Sequence, residues 1–192
     1  EEILNKDVPD LKKLDFKLFK DKSILVTGGA GSIGLEISKQ LLETKLKRLI
    51  VLDQSELNIY RLNQKIKSKK MQIILGNIQD RTLMKKIIHN KKIDYIFHTA
   101  AYKHVKYLED NLYAAIKNNI LGTLSLIEAT KYKKIHFTFI STDKAVDPKT
   151  VLGITKRIGE ILITHFANNK NFKKAKFNIV RFGNVIGSDG SA

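Results

Sequence analysis

The chain has 192 residues, 43% hydrophobic and 28% charged, with no cysteine and no apolar run near the ~18 residues of a membrane span. Such a length builds one domain with a short extension, and the composition excludes a disordered chain, a disulfide scaffold, thiolate catalysis and zinc sites built on sulfur. The formal net charge is +16, from 35 lysines and arginines against 19 acids, yet only five of the 35 are arginine, the side chain best suited to bidentate phosphate and base contacts. The lysines are spread over the whole chain, densest at 65–70 and 131–134 where loops are expected. A solvated surface that draws in small anions is therefore favoured, with no nucleic-acid partner.

In chain order, residues 1–20 stand outside any alternating pattern and read as a lead-in or linker, whose Leu11, Leu14, Phe16, Leu18 and Phe19 are free to pack on the domain. Short β-branched runs at 23–27, 48–53, 71–75, 94–98, 135–141 and 177–182 predict six strands. Between them, apolar residues at helical spacing predict helices over 32–44, 55–67, 81–89, 113–131 and 152–166. Ser55 is placed to cap the second of these. Strand and helix in strict alternation predict an α/β fold, a Rossmann-type doubly wound parallel sheet with helices on both faces, over residues 21–192.

The first strand runs straight into TGGAGSIG, residues 27–34. Gly28, Gly31 and Gly34 make a GxxGxxG spacing after a strand and at a helix start, the context a dinucleotide-binding loop requires. A plain turn needs one glycine. Three let the backbone approach a pyrophosphate, with Ser32, Ile33 and Gly34 supplying N–H groups at the helix N-terminus. Asp53 ends the second strand 19 positions after Gly34. A carboxylate there accepts from both adenosine ribose hydroxyls and repels a 2′-phosphate, which favours NAD over NADP. Asn77 and Ile78 follow the third strand, where the adenine edge would lie. Ala100 and Ala101 follow the fourth, small enough for the backbone to pass close to the cofactor. Tyr102, Lys103 and His104 leave that strand toward the same edge.

STDK, residues 141–144, follows the fifth strand at the ligand-binding edge of a parallel sheet. Leu152 and Lys156 lie one helical turn apart further on, in the places where a short-chain dehydrogenase carries Tyr-x-x-x-Lys. Leucine cannot carry a proton, so the domain is either catalytically dead or uses another group for the proton step.

TGGAGSIG (27–34), LDQSELNIY (52–60), HTAAYKHV (98–105), NNILGT (118–123), STDKAVDP (141–148), GITKR (153–157) and VRFGNVIGSDGS (180–191) occur in this order. Together they resemble the UDP-N-acetylglucosamine 4,6-dehydratases of bacterial polysaccharide biosynthesis, extended members of the short-chain dehydrogenase/reductase superfamily. The acidic DQSE and the missing tyrosine are similar to the long, membrane-anchored members. Leu152 in place of methionine and Asn77 in place of aspartate depart from the family pattern.

The resemblance implies NAD as cofactor, a UDP-sugar substrate and a 4-keto-6-deoxy product. It implies Asp143 as acid, Lys144 as base, Thr142 on the 4-oxygen and Lys156 on the nicotinamide ribose. The acceptor for the 4-hydroxyl proton stays open among Asp143, a water and a relay through Thr142. Lys103 and Asn184 are candidate substrate contacts, and no metal is implied. The resemblance further implies a cytoplasmic domain, a membrane reached only through a segment upstream of Glu1, a substrate region after Ala192 and a possible homo-oligomer. A 4-epimerase and an inactive nucleotide-sensing module are the rival readings.

Overall fold

The computed structural model describes residues 16–185. Leu11, Leu14 and the end of the last motif, 186–191, lie outside the described residues. The strands are β1 (Ser23–Thr27), β2 (Arg48–Asp53), β3 (Met71–Leu75), β4 (Tyr95–His98), β5 (His136–Thr142) and β6 (Lys176–Phe182). They form one parallel sheet in the order β3-β2-β1-β4-β5-β6. The order reverses between β1 and β4, so the carboxyl ends of those two strands open the crevice in which doubly wound sheets bind ligands.

Alternating side chains go to opposite faces of the sheet. Ile24, Val26, Leu49 and Val51 face α1 (Ser32–Leu42) and α2 (Glu56–Lys65). Leu25, Ile50, Leu52 and Ile96 join Phe137, Phe139, Met84, Leu126 and Ile163 under α3 (Arg81–Asn90), α6 (Gly122–Glu128) and α7 (Val151–Ala167). Both faces are thus covered, which is why the central strands read as nearly continuous apolar runs. Ser55 does cap α2, accepting from the Asn58 N–H at 3.2 Å. Asp80 and Thr150 cap α3 and α7 in the same way. From the lead-in, Phe16–Phe19 forms a single 3-10 turn, and the Phe19 ring packs edge-on against Tyr95 at 5.2 Å.

One helix differs from expectation. In place of a single helix over 113–131, the chain forms α4 (Val105–Asp110), α5 (Leu112–Ala115), a π-helical stretch Ile116–Leu121 and then α6. The wide turn buries the consecutive residues Asn118 and Asn119, each about 2% exposed. A regular 3.6-residue period would spread these two over about 100° of the helix surface. Asn119 repays the bulge by clamping two neighbours. Its Oδ1 accepts from the Tyr102 N–H at 2.8 Å, and its Nδ2 donates to the Tyr102 carbonyl and to Thr155 Oγ1, both at 3.1 Å.

Candidate cofactor and substrate site

A cavity of about 1130 Å³ lies along the carboxyl edge of the sheet. Its floor is the β1–α1 loop. Gly28 sits at φ +66°, and a Cβ there would come within 2.6 Å of the Ala100 backbone. Only glycine satisfies both the left-handed conformation and that approach. A Cβ on Gly34 would collide with the Gly28 carbonyl oxygen, so the loop and the start of α1 close on each other. No side chain caps α1 at Gly31, and its positive end faces a cavity lined by Gly31, Ser32, Ile33 and Gly34.

Asp53 lines the same cavity and is 9% exposed. Its Oδ2 accepts from the Ala30 N–H at 3.1 Å and its Oδ1 from the Ser55 N–H at 3.0 Å. The carboxylate therefore braces the glycine loop against the start of α2 and keeps a second lone pair on each oxygen for a ligand. Ile78, Ala100 and Ala101 line the cavity, and so do Tyr102 and His104. Asn77 is not among the lining residues. Its Nδ2 donates to Gln54 Oε1 at 2.7 Å and its Oδ1 accepts from the Gln79 N–H at 2.8 Å, so one N–H and one lone pair of the amide serve the loop itself.

Beneath the site, His98 is fully buried between two threonines. The Thr123 hydroxyl donates to the Asn119 carbonyl at 2.7 Å, so it must accept from His98 Nε2 at 2.9 Å. Nδ1 is left to accept from Thr27 Oγ1 at 2.7 Å. Burial, aided by the charge of Lys156, lowers the imidazole pKa to about 3, and the ring is neutral.

At the end of β5, Thr142 Oγ1 donates to Asp143 Oδ1 at 2.9 Å. Lys144 Nζ donates to the same oxygen at 3.3 Å and to Asn184 Oδ1 at 3.1 Å. Thr142, Lys144, Asn184 and Lys103 line the cavity, whereas Asp143 is exposed beside it. The bonds from Thr142 and Lys144 hold the Asp143 pKa below the ordinary carboxylate range, so the resting state is an ion pair. An acid role for Asp143 therefore needs a proton delivered to it.

Lys156 is 7% exposed, donates to the Ile140 carbonyl at 2.7 Å and lies 4.7 Å over the Phe139 ring. Burial lowers its pKa to about 8, against an upward pull from Glu160. Glu160 itself is disfavoured by burial, but bonds from Arg181, Ser141 and Arg157 outweigh that and bring its pKa down to about 2. Leu152, one turn before Lys156, lines the cavity and packs with Leu108 and Ala115. The tyrosine position is thus filled by an apolar contact to α4.

Sequence reasoning missed Tyr107 and Asn118 as lining residues. For Asn118 the paired asparagines of the NNILGT segment were the available signal, since two adjacent amides in a helix have no surface reason to be there.

Residues 24–192 match the family model described as polysaccharide biosynthesis protein. The chain is 43% identical over 174 residues to an uncharacterized membrane protein of Methanocaldococcus jannaschii, covering 90% of this chain and 52% of that protein. It is 34% identical over 176 residues to a UDP-N-acetylglucosamine 4,6-dehydratase (inverting) of Campylobacter jejuni, covering 91% and 52%. The X-ray structure of Pen from Bacillus thuringiensis superposes with a TM-score of 0.85 at 38% identity, covering 91% of this chain and 53% of that one. The chain spans about half the length of these relatives. By its fold, its glycine loop and this match, the chain belongs to the polysaccharide biosynthesis protein family.

Proposed function

We propose that the site binds NAD and, completed by sequence outside this chain, dehydrates a UDP-N-acetylhexosamine across carbons 5 and 6, with UDP-N-acetylglucosamine as the first candidate. The observation that carries the reading is the Thr142–Asp143–Lys144–Asn184 cluster on the rim of a cavity whose floor is a glycine cradle. The cradle, the uncapped start of α1 and Asp53 fit a dinucleotide with free ribose hydroxyls. When bound, NAD supplies reversible hydride acceptance from carbon 4 and return to carbon 6.

The chain's own residues do the rest. Lys156 hydrogen-bonds the nicotinamide ribose. Thr142 holds the 4-oxygen and passes the 4-hydroxyl proton to water as carbon 4 is oxidised. Lys144 removes the proton from carbon 5, acidified by the neighbouring ketone, and Asp143 protonates the departing 6-hydroxyl. Lys144 gives a proton back to carbon 5 as the hydride returns to carbon 6, and the proton released to water restores the ammonium. The observed ion pair already holds the proton these roles need. Its transfer from Lys144 Nζ to Asp143 Oδ1, across 3.3 Å, converts ammonium and carboxylate into amine and carboxylic acid. Closure of the site over a sugar favours that neutral pair, because desolvation penalises both charges. The aliphatic Leu152 argues against a 4-epimerase, which would need a phenol in that place.

The M. jannaschii relative, named as a membrane protein, supports placing the parent protein at a membrane. The test is Lys144→Ala and Asp143→Asn in the complete protein. Lys144→Ala should end solvent deuterium exchange at carbon 5 and product formation while NAD stays bound. Asp143→Asn should block loss of the 6-hydroxyl. Near-normal turnover in both variants sinks the assignment.

A further inference from the structure

The net charge of the chain is not spread evenly once it is folded. All six strands are parallel, so all six start at one edge of the sheet, opposite the cavity. The segments entering them are residues 17–22, 43–48, 65–70, 90–94, 129–135 and 167–176. Together these hold eighteen lysines and Arg48 against Asp21, Glu43 and Asp94. That surplus of 16 equals the net charge of the whole chain. The segments leaving the strands at the carboxyl edge balance Lys103, Lys144 and Lys149 against Asp80, Asp143 and Asp147. A compositional bias toward lysine predicts no such difference between the two edges.

We propose that this amino edge docks on a bilayer surface carrying anionic lipid headgroups. Helix-dipole complementarity accounts for a basic residue such as Lys65 in a last turn, but Lys67, Lys69, Lys70, Lys173 and Lys174 lie past their helices. Among the described residues, Lys67, Lys69, Lys70, Lys173 and Lys174 have no part in the ion pairs of Lys39, Arg81, Lys144, Lys149, Arg157 and Arg181. Of the three acids on the edge, Asp94 is engaged by the Ser23 N–H at 2.9 Å.

The edge is broad, since six strands at about 4.8 Å spacing span roughly 25 Å. Lysine rather than arginine fits diffuse attraction to headgroups and not base or phosphate forks. Leu18 (58% exposed) and Tyr132 (60% exposed) stand among these lysines, the kind of side chain that settles at a headgroup boundary. Docked this way, the molecule turns its cavity away from the membrane. The proposal does not rest on the dehydratase reading.

The test is sedimentation of the 192-residue chain with vesicles of phosphatidylcholine alone and of phosphatidylcholine with about a third phosphatidylglycerol, a composition set by the charge effect sought. Binding is expected to the anionic vesicles only, with release at high salt. Lys69→Glu with Lys70→Glu should weaken partitioning on the order of tenfold or more. Lys117→Glu with Lys149→Glu carries the same charge change away from this edge and should retain binding within about threefold, being screened from the surface. Circular dichroism checks that each variant is folded. Equal losses in the two pairs would overturn the docking face, as would no preference for anionic vesicles. Tighter salt-sensitive binding to duplex DNA or RNA than to vesicles would assign the edge to nucleic acid instead.

Discussion

The two edges of the sheet are built on opposite principles. At the carboxyl edge, polar groups are buried and each is answered. Asp53 takes two backbone N–H groups, His98 two hydroxyls, and Glu160 the Ser141 hydroxyl and two guanidinium groups. At the amino edge, charge is abundant, mostly exposed and overwhelmingly positive. Buried titratable groups change a fold's stability through their pKa, while exposed ones are screened by water and salt. The carboxyl edge should therefore respond to pH and to single substitutions, and the amino edge to ionic strength.

The largest expected effect belongs to His98. Its pKa is about 3 in the folded chain against 6.5 for the free imidazole. The unfolded chain thus binds more protons between these values, and folding stability falls as pH drops through that window. The full linkage is on the order of 5 kcal/mol. His98→Asn removes the titration. Urea unfolding at a series of pH values should show a steeper acid loss in the wild type than in the variant. Parallel curves would mean that the carboxyl edge does not owe its acid sensitivity to this ring.

Glu160 comes next. Its pKa is about 2 against an ordinary 4.5, so the ionised carboxylate stabilises the fold above pH 4.5, and that contribution disappears as pH falls through about 2. Glu160→Gln should cost about 2–3 kcal/mol at neutral pH, a deficit that closes in acid. Because Glu160 joins Ser141 on β5 and Arg181 on β6, hydrogen exchange should rise along β6. A variant as stable as the wild type at pH 7 would show that the pair merely offsets its own desolvation.

Much of this contrast was legible in the residues themselves. The six strands and the glycine loop were readable because a parallel sheet covered on both faces demands continuous apolar runs, and the cradle demands glycine. The break in the long helix was not, since nothing in local periodicity announces a π turn. It is Asn118 and Asn119, satisfied only in the folded state, that stabilise it. Of the two bonds that draw the Asn77 amide toward its own loop, the one from the Gln79 N–H two residues on is local, and the one to Gln54 forms only after folding. The amino edge was hidden for a related reason. Its lysines are scattered in sequence and gather only when six parallel strands start together.

A moderate effect is expected at Asp53. The carboxylate braces the loop through Ala30 and Ser55 and keeps lone pairs for a ligand, which in the proposed reading are taken by the ribose hydroxyls. By calorimetry, NAD should bind more tightly than NADP by about 1–3 kcal/mol, the cost of an uncompensated polar contact. Asp53→Ala should narrow that gap and also weaken NAD itself, because the loop loses two hydrogen bonds. Equal affinities in the wild type would remove the carboxylate from cofactor selection and leave it a purely structural brace.

The smallest effect is expected where the charge is greatest. Lys67, Lys69 and Lys70 are exposed within one short connection between α2 and β3. Like charges this close repel one another, and the unfolded chain relieves that repulsion by separating them. Replacing all three with glutamine removes the repulsion without burying or exposing any apolar surface. Surface substitutions of this kind change stability within about 0.5 kcal/mol, and here the sign should be a gain. The gain should fade as salt is added, because screening already suppresses the repulsion in the wild type. Melting curves at low and high salt measure it, and NAD affinity should stay unchanged because the cavity lies at the other edge. A clear loss of stability at low salt would mean that these lysines are held by contacts within the fold, and the two edges would then differ less than their charge implies.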